Sequence, residues 1–210
     1  LSGFDAVIAT GSNNTSRYFE YYFSRYPHII RKNRNSAAII DGTETDDELK
    51  SLGSDVFSYF GLGCRSISKI FVPEEYDLNK VTAKWKCYSD VINHNKYANN
   101  YDYNKAIYLI NNEMFIDTGY ILLKESSALA SPVAVLFYEK YSSIEKVYDL
   151  LKQMDQEIQC ISGKGHVPFG KAQSPQLWDY ADGRDILEFL LKKNKRKYHN
   201  IKNTILHQSN

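Results

Sequence analysis

The chain has little that would mark it as secreted, metal-binding or membrane-embedded. Its 210 residues include only three cysteines, at positions 64, 87 and 160, with no CxxC pair and no regular spacing. That pattern favours neither a disulfide framework nor a zinc site and leaves reduced cytoplasmic thiols as the expectation. No stretch approaches the roughly 20 apolar residues of a membrane helix. The opening Leu1-Ser2-Gly3 is neither a signal peptide nor an initiator methionine, so the chain is expected to begin partway through a longer protein. An excess of one charge is also missing: 26 basic and 25 acidic side chains leave a formal +1. The one basic cluster, five cations in the six residues from Lys192 to Lys197, reads as a solvated helix end whose charges complement the dipole. No nucleic-acid partner is expected.

What is present is an ordinary globular composition, 43% hydrophobic, in a chain long enough to bury a sizeable core as one large domain or parts of two. The seventeen tyrosines fall on helical faces and read as core and rim, not as a stacking platform for bases.

One stretch organises the rest. An amphipathic run ends at Gly61-Leu62-Gly63, Cys64 follows at once, and an apolar strand-like run leads to Pro73. Glycines permit backbone that side chains forbid, so Cys64 can stand on a tight loop with its own N–H free, the geometry a thiolate nucleophile needs. A buried, inert cysteine beside a helix-ending glycine pair is the competing reading.

Before this loop, Phe4 to Thr10 reads as a strand, Gly11 to Ser16 as a small-residue turn with helix caps, and Arg17 to Tyr26 as a helix ended by Pro27. Such a turn suits a phosphate. His28 to Ile40 reads as two short strands around a basic centre, Arg31-Lys32-Asn33-Arg34. Thr45-Asp46-Asp47-Glu48 is a capping box, and Leu49, Leu52, Val56, Phe57 and Phe60 mark one helical face. Beyond Cys64, Asp77 caps a helix whose stripe runs from Leu78 to Ile92, with Cys87 beside it as a structural thiol and His94 at the surface. Residues 97–103 read as a Tyr/Asn-rich loop, and 107–110, 120–123 and 133–138 as strands. Ser143 caps a helix through Met154, a strand follows at 158–161, and Cys160 within it is expected in the core. The alternation predicts an α/β fold, a three-layer domain with a mainly parallel sheet.

Phe60-Gly61-Leu62-Gly63-Cys64-Arg65-Ser66 resembles the cysteine loop of the aldehyde dehydrogenase superfamily, and its wording is most like the acyl-CoA reductase branch, the fatty-acid reductase type of bacterial luciferase systems. Further partial matches follow in the family's order. Thr10-Gly11-Ser12 is similar to the turn that lies on the cofactor pyrophosphate. Pro132-Val133 resembles the end of a Glu-x-x-Gly-Pro-Val segment whose glutamate holds the nicotinamide ribose, although that position is Ala128 here, with Glu125 a nearby candidate. Pro168-Phe169-Gly170 resembles a Pro-Phe-Gly-Gly motif beside the nicotinamide, and the stretch from Asp182-Gly183-Arg184 into a helix matches what usually comes next.

The resemblance implies the carboxy-terminal half of such an enzyme. Residues 1–27 would be a remnant of the nucleotide-binding domain, 28–170 the cysteine-bearing catalytic domain and 171–210 a returning helical tail. Cys64 would be the catalytic nucleophile, with Gly11, Ser12 and Phe169 on the cofactor side and Arg31, Gly63 and Arg65 facing substrate or phosphate. Arg31 stands where the hydrolytic members carry the glutamate that activates water. This departure implies reduction of an acyl-CoA or acyl thioester to aldehyde with NADPH or NADH, coenzyme A as co-product and no metal. His166 is a weaker candidate acid or base. A homo-oligomer is implied, and a chain without the upstream half would be inactive. Two other enzyme readings remain open, a hydrolytic aldehyde dehydrogenase and an acyl-phosphate reductase of the glutamyl phosphate type. A non-catalytic binding or oligomerisation module is the alternative of another class.

Overall fold

Ser12 starts the first helix of the chain, its hydroxyl accepting the Thr15 N–H at 3.2 Å, so the helix spans Asn13–Phe23 and begins inside the expected turn, where the pattern predicts Arg17 to Tyr26. In the computed structural model, which describes residues 3–192, two units separate: residues up to Asn33 together with those from Gln176 onward, and Arg34–Pro175. Lys193 to Lys197 of the basic cluster lie outside the described residues.

In the first unit, β1 (Val7–Thr10), α1 (Asn13–Phe23) and β2 (His28–Arg31) form a parallel βαβ pair, with Val7 opposite His28 and Thr10 opposite Arg31. Residues 186–192 of this unit are helical.

The second unit carries β3 (Asn35–Ile39), α2 (Asp46–Phe57), β4 (Ile67–Pro73), α3 (Leu78–Lys84), α4 (Asn95–Ile110), β5 (Ile116–Asp117), β6 (Leu122–Glu125), β7 (Val135–Tyr141), α5 (Ile144–Gln153) and β8 (Ile158–Ser162). Its sheet has the order β5-β6-β7-β4-β3-β8 and is parallel throughout except at β5, which runs antiparallel to β6. The α/β class with a mainly parallel sheet is as expected.

Both faces of the sheet are covered, so in β4 not only Ile67, Ile70, Phe71 and Val72 but also Ser68 and Lys69 are buried. On one face Ala38, Ile70, Val72 and Leu136 pack under Leu49, Leu52 and Val56 of α2 and Val81 of α3, with Trp85 sealed among them. On the other, Ala37, Ile39 and Phe71 meet Val147 and Leu151 of α5, while Leu122, Val135 and Phe137 meet Tyr97, Tyr101 and Tyr108 of α4.

Two expectations are corrected here. Residues 97–103 are not a loop and 107–110 are not a strand, since both belong to α4. Tyr97, Tyr101, Asn104 and Tyr108, the buried residues of that helix, recur at helical spacing and press onto β6 and β7, so burial of large rings outweighs the poor helix propensity of Tyr and Asn. Cys87 is exposed, outside the packed stripe. Among the described residues no helix is long and apolar enough to cross a membrane.

The β6–β7 connection departs from the usual helical crossover of parallel strands. Residues 126–134 return without a helix, and two polar side chains of β4 donate to their carbonyls. Ser68 donates to Leu129 O at 2.8 Å, and Lys69, 1% exposed, donates to Ser127 O at 2.9 Å while pairing with Glu139.

Candidate active site

Helix α2 delivers the chain to the cysteine through a strained bend. Tyr59, Phe60 and Gly61 all adopt left-handed backbone, with φ of 55°, 59° and 73°. The sequence pattern assigns this bend to the glycines, yet only Gly61 uses that freedom, and two aromatic residues share it at a cost on the order of 1–3 kcal/mol each. Stacking of the Phe60 ring on His94, centroids 4.2 Å apart, helps to hold the bend. At Gly63 a Cβ would lie 3.1 Å from the Ser66 hydroxyl, a tight contact that would press on it.

Cys64 then stands exposed on the loop that enters β4. Its carbonyl accepts the Ser36 hydroxyl at 2.9 Å. Ser36, fully buried at the head of β3, also accepts the Cys160 N–H at 3.1 Å and lies 3.1 Å from the Cys160 sulfur. One hydroxyl therefore ties the loop of an exposed thiol to the strand of a buried one. Burial pushes the Cys160 thiol above its ordinary range, which suits an inert core position.

Asp55 of α2 is 1% exposed and accepts the N–H groups of Gly170 and Ala172 at 2.7 and 3.0 Å. Desolvation pushes its carboxyl up to about 6 against these two bonds. Arg65 donates to the Ala172 carbonyl at 3.1 Å, and Gln173 donates to the Ser66 hydroxyl at 3.2 Å. Ser36, Asp55 and Gln173 were not singled out in the sequence. The signal for Asp55 was an acid between Leu52 and Val56 on an apolar helix face, and for Ser36 and Gln173 no pattern existed.

The remaining candidates fall in two other places. In the first unit, the Gly11 N–H donates to the Arg31 carbonyl at 3.1 Å, and Ser12 uses its hydroxyl on Thr15. At Gly11 a Cβ would lie 3.0 Å from the Thr15 side chain, a tight contact. The Arg31 side chain lies 3.8 Å from Asp182, and its Nε is buried with no hydrogen-bond partner among the described residues. In the second unit, Phe169 is half-buried and lines a cleft of about 570 Å³ with Asp47, Glu48 and Ser51 of α2, whereas Cys64 follows the far end of that helix. His166 is exposed in the same cleft. Among the described residues no cluster of three or more His, Cys, Asp or Glu is arranged to hold a metal.

Neither a family model nor a curated protein sequence matches the chain. Solved structures do. Proline utilization A from Bradyrhizobium japonicum matches at 15% identity and a TM-score of 0.55, covering 77% of this chain and 20% of that one. An NAD+ complex of aldehyde dehydrogenase from Bacillus cereus matches at 12% identity and a TM-score of 0.54, covering 76% and 39%. The NADP-dependent glyceraldehyde-3-phosphate dehydrogenase of Bacillus halodurans, complexed with NADP, matches at 17% identity and a TM-score of 0.51, covering 77% and 40%. The chain thus spans between a fifth and two fifths of the length of these proteins. At such identities the likeness is one of fold, and the fold it shows is that of a part of the aldehyde dehydrogenases.

Proposed function

We propose that Cys64 is the nucleophile of an aldehyde-linked oxidoreductase that reduces an acyl-CoA or acyl thioester through a covalent thioester. The observation that carries the reading is the Cys64 loop: an exposed thiol on a strained bend, its carbonyl tied to Ser36, in a fold shared with aldehyde dehydrogenases. Backbone strain held by surrounding contacts is characteristic of reactive loops.

The Cys64 thiolate attacks the acyl carbonyl. Its backbone N–H, which makes no hydrogen bond among the described residues, is available to the resulting oxyanion. Collapse expels the coenzyme A thiolate and leaves the acyl group on Cys64. A reduced nicotinamide, when bound, supplies hydride to that thioester, and departure of the aldehyde returns the Cys64 thiolate.

The chain offers a phosphate-bearing cofactor the turn before α1 and the Arg31 guanidinium, whose Nε makes no hydrogen bond among the described residues and lies 3.8 Å from Asp182. Ser12 and Arg31 are the residues that would hold it. In this reading residues 1–27, together with Arg31, serve the nucleotide side and the rest of 28–170 the cysteine side, the protein works as a homo-oligomer in the cytoplasm, and Arg31 in place of a water-activating glutamate favours exchange with a thiol over hydrolysis.

Incubation with a long-chain acyl-CoA tests the first half-reaction. One equivalent of free coenzyme A and a mass increase by one acyl group on Cys64 are expected, both abolished by Cys64→Ser. Release of free fatty acid at the rate of coenzyme A release would turn the assignment to a hydrolytic enzyme.

A further inference from the structure

A single side chain fastens residues 168–173 to α2. The two oxygens of the Asp55 carboxylate each accept one N–H, from Gly170 and from Ala172. From there the strap reaches the cysteine loop twice. Arg65 donates to the Ala172 carbonyl, and Gln173 donates to the Ser66 hydroxyl, which itself donates to the Ser58 carbonyl at 3.2 Å. Ser58 and Ser66 bracket the left-handed bend and Cys64.

We propose that Asp55 is a positioning residue for Cys64, holding residues 168–173 against α2 and through them Arg65, Ser66 and the loop on which the thiol stands. The proposal rests on Cys64 being the reacting thiol, and it adds how that thiol is held.

A carboxylate is a costly fastener in this place. Its shift arises from burial opposed by the two backbone bonds, with no cation contributing. The titratable groups that feel its charge are the Tyr88 phenol, from the turn after α3, and the Cys160 thiol of β8. Arg65 acts electrostatically on Cys160, and Lys171 on the strap is exposed.

This arrangement has a sign. A fastened Asp55 titrates near 6, while one released to water returns toward 3.8. Ionisation therefore favours release, and the strap loosens as pH rises from 4 to 7, by up to about a hundredfold in its opening equilibrium. Charge-assisted bonds from two N–H groups keep the carboxylate in place when it is ionised.

Hydrogen exchange on the whole chain, corrected for the intrinsic pH dependence of amide exchange, reads the strap directly. Protection of segments 58–66 and 168–173 is expected to fall at least tenfold between pH 4.5 and 7, with β6 and β7 unchanged. Asp55→Asn should abolish the pH step. Gln173→Ala should raise exchange in 58–66 at least threefold while the step in 168–173 persists, and it serves as the deciding variant if Asp55→Asn fails to fold. A nitroxide on Cys64 in a Cys87→Ser background should grow more mobile over the same pH range. Absence of the step, its persistence in Asp55→Asn, or equal loss of protection in β6 and β7 would overturn the proposal. Failure of acyl transfer to Cys64 alongside an intact step would sink the nucleophile reading and leave the strap standing.

Discussion

Two buried charges, Lys69 and Asp55, hold down two returning segments, and they do so in opposite ways. Lys69 secures the helix-less crossover 126–134 with its charge matched by Glu139 and the Phe71 ring 4.8 Å from its nitrogen. Asp55 secures the strap 168–173 with backbone N–H dipoles and no counter-ion, and its carboxyl is pushed up to about 6. A matched charge makes a permanent clamp, whereas an unmatched one makes a clamp that answers to pH. The first lies in the body of the sheet, and the second holds a strap that hydrogen-bonds to the loop of the candidate nucleophile.

Lys69→Met should break the permanent clamp with the largest effect. It takes the ammonium donor from the Ser127 carbonyl and removes the partner of Glu139, whose side chain is 32% exposed and can rehydrate. A loss of about 3 kcal/mol in urea unfolding is expected, and a loss below about 1 kcal/mol would show that the crossover does not depend on it.

Ser36→Ala tests the side of the molecule that carries the thiol. It leaves the Cys64 carbonyl and the Cys160 N–H without their partner, for about 2 kcal/mol of stability. Alkylation of Cys160 in the folded protein should quicken, and an unchanged rate would mean that the hydroxyl does not shield that sulfur.

The pH dependence sharpens the contrast further. The folded protein holds the Asp55 proton more tightly than the unfolded chain does, so the stability from this group is fully present below about pH 4 and lost as pH rises through about 6. The difference in unfolding free energy between wild type and Asp55→Asn should shrink by on the order of 1–2 kcal/mol from pH 4.5 to 7. A difference that grows over this range would reverse the assignment.

Lys84→Ala marks the lower bound for a charge on the surface. Its partner Asp46 is 75% exposed, and a change within about 0.5 kcal/mol is expected. A larger loss would mean that exposed pairs matter here as much as buried ones.

The elements that the sequence made legible are those in which local chemistry and packing agree. The Thr45–Glu48 capping box and the β4 run ending at Pro73 lie where patterning places them. Helix α4 was hidden because Tyr and Asn argue locally against a helix, although the buried spacing of Tyr97, Tyr101 and Tyr108 was present. At the candidate site the exposed Cys64 and its glycine bend could be read in advance. Its supports could not, since Ser36, Asp55 and Gln173 lie 28, 9 and 109 positions from Cys64 in sequence and meet its loop only through the fold.

By itself the sequence determined the α/β class, the start of α2, the buried run of β4 and a cysteine on a bend, because each follows from residue types within one or two turns of one another. The tertiary structure alone decided that Tyr59 and Phe60 would share the strain, that one serine would bind both cysteine segments and that a buried acid without a cation would fasten the strap. Hydrogen-bond partners and desolvation depend on which distant segments are brought within about 3 Å, and no local pattern encodes that.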